Sequence, residues 1–285
     1  MLAGRPTTLW AAVSPVLVGS ALAHRDGVFA WERSLAVMAA ALLIQIGVNF
    51  ANDLSDAHRG ADDERRVGPP RAVADGLVSP AEMKRAIAVV FGLAVAIGVY
   101  LISVAGPVIL VIGIVSIVAA LGYTGGPLPY GYRALGEAFV FVFFGLVATV
   151  GTRFVYDRTA PLDAWVGGVV MGLLATAILV ANNLRDIDTD ATTGKHTLAV
   201  RLGRGRTRTL YTVAVGAPFL VVPVAAVAGW IPPWSALVVP ALPLVFPLIR
   251  TVRSDARGRD LIPVLVGTAR AQLAVAALLS AGALL

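Results

Sequence analysis

Cysteine is absent from this chain of 285 residues, and histidine is scarce. The lack of cysteine excludes disulfide bonds and thiolate metal sites. The three histidines, His24, His58 and His196, lie too far apart to form a zinc-binding pattern. Charge is sparse as well, because Asp, Glu, Lys and Arg together make up only 14% of the residues. A chain with so few charged side chains is not an ordinary soluble globular protein.

Hydrophobic residues account for 58% of the chain, and the mean hydropathy is +0.81. Apolar runs of about 18 or more residues recur between short charged loops, which is typical of an all-α integral membrane protein. We predict one transmembrane domain over residues 1–285, with two possible internal repeats formed by spans two to five and six to nine. The nine predicted spans are 7–24, 33–54, 83–104, 107–123, 132–151, 163–184, 208–229, 234–250 and 261–284.

The basic residues predict how the helices are oriented in the membrane. Most of the 23 Lys and Arg residues fall in loops on the side of the predicted N-terminus, and the positive-inside rule makes that side cytoplasmic. The net charge of +6 therefore reflects topology and does not indicate nucleic-acid binding. Arg5 and the following apolar run also fit a cleavable signal peptide, but Pro6 and Pro15 favour a retained first helix.

Two polar stretches interrupt the apolar pattern about half a chain length apart. They read NFANDLSDAHRGADD at residues 49–63 and NNLRDIDTDATTGKHT at residues 182–197, and both contain N-[DN]-L-x-D. The first ends span two and the second ends span six, so four spans separate them and both emerge on the cytoplasmic side. Each stretch therefore places carboxylates at the same mouth of the bundle.

The spacing within each stretch directs the carboxylates to one face of a helix. Asn49, Asp53 and Asp56 follow an i, i+4, i+7 pattern, and Asp186 and Asp190 are four residues apart. Such clusters of oxygen ligands suit Mg²⁺, which completes its coordination shell with water and substrate phosphates. Asp and Asn also cap helix ends and turns without any ligand, although two matching stretches on one face favour a site.

Basic residues accompany the carboxylates. Arg71 and Lys195 lie in loops that also carry Gly or Pro, and carboxylates mixed with cations suit a diphosphate held through metal ions. The positive-inside rule is the alternative explanation for both residues. Tyr123, in another cytoplasmic connection, is placed to hydrogen-bond a substrate or to lie in the interfacial aromatic belt. Glu137 and Arg270 lie near or within spans, a position that usually marks the interior of a bundle.

At these residues the sequence resembles the UbiA superfamily of membrane prenyltransferases, and within it the branch that prenylates 1,4-dihydroxy-2-naphthoate in menaquinone synthesis. The resemblance extends over nearly the whole chain. The matching segments are RPTTL at 5–9, PVLVG at 15–19, NFANDLSD at 49–56, VGPPR at 67–71, GLVSPAEMKRA at 76–86, YGY at 130–132 and NNLRDIDTDATTGKHTLAVRLG at 182–203.

The resemblance implies a helical bundle around a central cavity that opens sideways to the lipid of the plasma membrane. It also implies Mg²⁺ as cofactor, with polyprenyl diphosphate and 1,4-dihydroxy-2-naphthoate as substrates. The first ion would be held by Asp53 and Asp56, with Asn49 assisting. Asp186 and Asp190 would hold the second. Arg71 and Lys195 would neutralise the departing diphosphate.

One position departs from the superfamily pattern. Many members carry a third carboxylate four residues after the second, but Gly60 stands there in this chain and the next acids are Asp62 and Asp63. Other acceptors of the same superfamily remain an alternative, among them 4-hydroxybenzoate, homogentisate, haem or a glycerol-phosphate lipid. A secondary transporter is a second alternative, but transporters bind substrate near the bilayer midplane through broken helices, whereas these carboxylates lie at helix ends.

Overall fold

The structure, a computed structural model, describes residues 6–60 and 71–285, with the side chains described from residue 8 onward. These residues form helices and turns, and the described ranges contain no β-strand. The ten helices are α1 Pro6–Arg25, α2 Trp31–His58, α3 Pro80–Ala105, α4 Pro107–Gly122, α5 Gly136–Asp157, α6 Leu162–Arg185, α7 Ile187–Thr192, α8 Leu198–Val227, α9 Phe246–Arg253 and α10 Ile262–Leu284.

The all-helical membrane class is confirmed, but the count of nine spans is not. Six helical segments in the described ranges are long and apolar enough to cross a membrane, and a seventh is added if one bent pair counts as a single span. That pair joins the 3₁₀ helix Pro233–Leu244 to α9 at an angle of 43°. Pro240 and Pro243 lie inside the 3₁₀ segment, and proline cannot donate the backbone hydrogen bonds of an α-helix.

Several span boundaries also differ from the prediction. The predicted span 132–151 is displaced, since α5 runs over Gly136–Asp157 and contains a π-helical segment, Phe141–Val147. The helix that contains most of the predicted span 208–229, α8, begins ten residues before it at Leu198 and has a kink at Gly203 near its start. The φ of Gly203 is +72°, a conformation that glycine adopts without a steric penalty.

The most buried helix is α6, which lies at the centre of the largest hydrophobic cluster. In its apolar stretch 72% of the residues are buried, compared with 22% in α2 and 17% in α3. Val170, Met171, Leu174 and Val180 have no exposed surface, and side chains of α1, α8 and α10 pack around them. Because α6 is held on all sides, its C-terminal end is a rigid support for the residues that follow it.

Close packing of α5 against α6 depends on glycine. A Cβ atom at Gly145 would lie 2.5 Å from the carbonyl oxygen of Gly168 and 2.5 Å from the Cα of Gly172. Both obstacles are backbone atoms, so neither can be displaced by a side-chain rotation. Small residues at helix contacts allow this approach in membrane proteins.

We expect Gly145→Ala to separate α5 from α6 and to destabilise the protein by about 1–3 kcal/mol, the usual cost of overpacking. Gly151→Ala on the same helix is the matched control, since the nearest atom to its new Cβ is a side-chain carbon 4.0 Å away. Thermal unfolding in detergent should show a lower Tm for Gly145→Ala alone. Equal Tm values for the two variants would contradict the proposed contact.

An ionic cluster ties together three helix ends at the face of the bundle where α6 begins. Arg153 is 3% exposed and binds Asp157 at 2.6 Å and Asp26 at 2.8 Å. Arg25 pairs with Asp26 and with Asp163 at the start of α6. Helix α6 is about 36 Å long at 1.5 Å per residue, which is long enough to place its two ends on opposite sides of a bilayer. The cluster therefore marks the face opposite the two polar stretches.

Candidate active site

Residues 49–58 of the first polar stretch form the last turns of α2, and the two carboxylates there, Asp53 and Asp56, are buried. Asp53 is 1% exposed, and its two oxygens accept the backbone N–H groups of Ala72 at 3.0 Å and Val73 at 2.9 Å. The carboxylate therefore anchors the turn that follows residue 71 to the end of α2. Each oxygen keeps further lone pairs for another donor or a cation.

Asp56, one turn later and 2% exposed, is held by three side chains. Arg71 donates to Oδ2 at 2.7 Å and the Tyr132 hydroxyl donates to Oδ1 at 2.9 Å. The Lys195 ammonium lies 3.7 Å from Oδ2. Asp56 is thus a buried anion whose partners come from three separate loops.

Lys195 is the direct link between the two polar stretches. It follows α7, and its backbone N–H donates to the carbonyl of Asp190 at 2.9 Å. Its ammonium lies near Asp56 and 5.0 Å above the ring of Tyr132. The C-terminal ends of α2 and α6 therefore lie at the same mouth of the bundle.

The carboxylates of the second stretch complete this mouth. Asp186 is paired with Arg185, which is itself buried. Asp190 is 8% exposed, and burial is the main reason that its pKa is raised to about 7. Lys195 opposes the rise in the Asp190 pKa, whereas the negative charges of Asp186 and Asp56 add to it. A cation placed among these groups would favour the charged form of Asp190.

Two other predicted site residues lie at the edge of this arrangement. Asn49 is buried, and its amide donates to the Thr8 hydroxyl on α1 at 3.0 Å and accepts from Gln45 at 3.4 Å. Tyr123 directly follows α4, and its hydroxyl lies 3.5 Å from where a Cβ on Gly136 would stand. Burial raises the pKa of the Tyr123 phenol, and the negative charges of Glu137, Asp56 and Asp190 raise it further. Asn49 thus connects α2 to α1, and Tyr123 lies beside the mouth.

Some charged residues of the sequence pattern do not belong to this mouth. Asp188 extends into solvent with 76% of its side chain exposed and pairs with Arg204. Arg270 is exposed on α10 and is not among the buried residues of the bundle. Asp62 and Asp63 lie outside the described residues.

Three further residues contribute to this region, although the sequence alone assigned none of them a role in the site. Tyr132 donates to Asp56 and lies beneath the cations of Lys195 and Arg59; the YGY segment was the only sequence signal for it. Arg185 neutralises Asp186 from the adjacent position. Asn183 donates to the Glu137 carboxylate at 2.9 Å and so connects α6 with the start of α5.

The carboxylates at the mouth have the chemistry of Mg²⁺ ligands. Within residues 6–60 and 71–285, no three His, Asp or Glu side chains lie together in a ready-made metal cage. Two carboxylate pairs are present instead: Asp53 with Asp56, both buried, and the partly buried Asp186 with the buried Asp190. Magnesium is usually bound through one or two carboxylates plus substrate phosphates and water rather than by a protein cage. The residues therefore fit Mg²⁺ that arrives with a phosphorylated substrate.

The fold and the site define a multi-pass membrane protein with paired buried carboxylates and cations at one mouth of a helical bundle. The family model for the UbiA prenyltransferase family matches residues 12–262. The chain belongs to this family.

Individual relatives agree with this assignment. A 1,4-dihydroxy-2-naphthoate octaprenyltransferase of Mycobacterium tuberculosis is 43% identical over 283 residues, which cover 98% of this chain and 94% of that protein. The apo structure of a UbiA homolog from Aeropyrum pernix K1 has a TM-score of 0.73 at 15% identity and covers 98% of this chain and 97% of its own. The structure of a UbiA homolog from Archaeoglobus fulgidus bound to DMAPP and Mg²⁺ has a TM-score of 0.67 at 14% identity and covers 97% of each chain.

Proposed function

We propose that this protein transfers a polyprenyl chain from polyprenyl diphosphate to 1,4-dihydroxy-2-naphthoate and releases diphosphate and carbon dioxide. The product is the reduced quinol, demethylmenaquinol, because no oxidant takes part in the transfer. The similarity to the M. tuberculosis enzyme supports the acceptor. The main support for the proposal is that residues of both Asp stretches come together at Asp56. Its Oδ2 lies 3.7 Å from the Lys195 ammonium and 2.7 Å from the Arg71 guanidinium.

In this proposal the carboxylates bind the donor through metal ions. Asp53 and Asp56 would hold one Mg²⁺, with Asn49 nearby, and Asp186 and Asp190 would hold another. Bound Mg²⁺ would supply positive charge to the diphosphate oxygens, which gain negative charge as the allylic C–O bond breaks. Arg71, Lys195 and Tyr123 would contact the same diphosphate from the protein side and stabilise it as the leaving group.

The protein's remaining contribution is to position the acceptor and to exclude water. The allylic C–O electron pair leaves with the diphosphate, a ring carbon of the acceptor forms the new C–C bond, and the carboxyl group leaves as carbon dioxide. The electron-deficient prenyl carbon is short-lived in water, so an apolar bundle interior protects it. A polyprenyl tail is itself a lipid, which explains why the enzyme is embedded in a membrane.

The orientation is also part of the proposal. We place the protein in the plasma membrane with its N-terminus and the carboxylate mouth on the cytoplasmic side, because that side carries most of the basic loop residues. The ionic cluster around Arg153 would then face outward. Diphosphate release on the cytoplasmic side fits this arrangement.

The first test is a prenyl-transfer assay on purified protein with geranylgeranyl diphosphate and Mg²⁺. We expect prenylated product and carbon dioxide from 1,4-dihydroxy-2-naphthoate, and no product from 4-hydroxybenzoate or homogentisate offered in parallel. Transfer to one of the other acceptors alone would keep the diphosphate site and overturn the proposed acceptor. Folded protein that transfers nothing but takes up substrate into vesicles would instead favour a transporter.

A further inference from the structure

A buried carboxylate near the mouth has no role in the chemistry described so far. Glu137 stands in the first turn of α5 and is 6% exposed. Its Oε1 accepts a hydrogen bond from the Asn183 amide at 2.9 Å, whereas its buried Oε2 has no hydrogen-bond partner in the described part of the chain. A buried polar atom without a hydrogen-bond partner destabilises the folded protein, so its retention calls for a reason.

No cation within residues 8–60 and 71–285 relieves this cost. Among the described residues, Glu137 forms no ion pair with Lys or Arg. Asp163 is the other carboxylate with an unpartnered buried oxygen, and it is neutralised by Arg25 at the opposite face. Glu137 is therefore a different case, since none of the described residues supplies a countercharge to its free oxygen.

The position of Glu137 relative to the diphosphate site follows from its partner. Asn183 precedes Asp186 by three residues on α6, a rise of about 4.5 Å along the helix toward the bilayer interior. The Tyr123 hydroxyl lies 3.5 Å from where a Cβ on Gly136, the residue before Glu137, would stand. Glu137 thus lies about one helical turn deeper than the carboxylates of the mouth.

That depth is where an acceptor must stand. The reacting prenyl carbon is bonded directly to the diphosphate, and an attacking ring carbon must approach it to about 3–3.5 Å. A carboxylate at this level repels the carboxylate of a hydroxynaphthoate but accepts a strong, charge-assisted hydrogen bond from its hydroxyl. Such a bond raises the electron density of the ring and favours its attack.

We propose that Glu137, held in place by Asn183, binds a ring hydroxyl of the aromatic acceptor through Oε2 and thereby positions and activates the ring. The inference rests on the proposed function and adds to it the residue that recognises the acceptor. The hydroxyl proton stays shared between the two oxygens, so no net proton transfer to Glu137 is required.

The test compares Glu137→Gln with Thr149→Val in the transfer assay. Gln keeps the shape of the side chain and its bond partner Asn183 but removes the negative charge. Thr149 lies on the same helix, is fully buried, and also has an unpartnered oxygen within the described residues, about 18 Å further along α5. Its isosteric change to Val controls for any general effect of altering a buried polar group.

We expect Glu137→Gln to lower kcat/KM for the acceptor about 10–100-fold, as loss of a charge-assisted hydrogen bond does. The KM for prenyl diphosphate should change less than about 2-fold, and Thr149→Val should behave as wild type. The sharper arm uses 1-hydroxy-2-naphthoate and 4-hydroxy-2-naphthoate, each of which lacks one hydroxyl. For the analogue that lacks the hydroxyl bound by Glu137, wild type and Glu137→Gln should have equal kcat/KM.

Three results would overturn the inference. The first is that Glu137→Gln and Thr149→Val have the same kinetics. The second is that Glu137→Gln changes the KM of both substrates and also lowers the Tm. The third is that Glu137→Gln lowers kcat/KM for both analogues as much as it does for the complete acceptor. Failure of the proposed function is separate, because it appears as an absence of naphthoate prenylation by the wild-type protein. If wild type prenylates a different hydroxylated aromatic, the same comparison is made with the deoxy form of that acceptor.

Discussion

Asp56→Asn is expected to lower kcat/KM for prenyl transfer at least about 10³-fold while the protein remains folded. The substitution keeps the volume of the side chain but removes a charge that faces Arg71 at 2.7 Å and Lys195 at 3.7 Å. Loss of one group that stabilises a transition-state charge typically costs about 10²–10³-fold. In our proposal Asp56 is also a metal ligand and holds Arg71 and Lys195 in place, so the effect should reach the top of that range or exceed it.

Asp188→Asn is the matched control for this prediction. Asp188 belongs to the second stretch, but 76% of its side chain is exposed, and it pairs with Arg204 rather than with Arg71 or Lys195. Exposed ion pairs contribute little to stability, so activity and Tm should stay close to those of wild type. A similar loss of activity in both variants would contradict the assignment of Asp56 to the diphosphate site.

Removal of divalent cations should abolish transfer completely, and added Mg²⁺ should restore it. Without a metal ion, the carboxylates of Asp53, Asp56, Asp186 and Asp190 would repel the diphosphate of the donor. Arg71 and Lys195 cannot offset this repulsion, because both are already engaged with Asp56. Activity would be measured after treatment with EDTA and then across a Mg²⁺ titration.

Thermal unfolding provides a second readout that does not depend on turnover. Ligands that bind only the folded state stabilise it by about 2.7 kcal/mol at a concentration 100 times their Kd. Mg²⁺ and a non-reactive prenyl diphosphate analogue should therefore raise the Tm of wild type together but not that of Asp190→Asn. Full activity in EDTA, or an equal rise in both proteins, would argue against metal-mediated binding by these carboxylates.

Much of the fold and part of the site were predictable from the amino-acid pattern. Apolar runs interrupted by charged loops require membrane helices, because backbone polar groups inside a bilayer must be satisfied within the segment itself. The matched stretches that contain Asp53 and Asp186, together with the parity of the intervening helices, correctly placed both at one mouth. The division into internal repeats and the assignment of each carboxylate to a metal ion remain predictions.

Tertiary structure decided which polar residues meet and which do not. Arg270 and Asp188 have the same sequence character as buried site residues, yet α10 exposes the first and α7 turns the second toward solvent. Tyr132 was recognisable only as part of a tyrosine-rich loop, and its contact with Asp56 spans 76 residues of sequence. Such contacts depend on how loops from different helices fold over the mouth, which no local pattern encodes.

The sequence by itself determined the class of the protein, the two Asp stretches and the side of the bundle on which they lie, because hydropathy and helical periodicity are local properties. The tertiary structure alone decided that Lys195 lies beside Asp56 and that Asn183 holds Glu137. It also set the positions of the kink in α8 and the bend before α9. The partners of each buried charge are selected by packing between helices that are distant in sequence. Glycine and proline permit a kink or an interruption in a helix, but the packing around them decides how the helix bends.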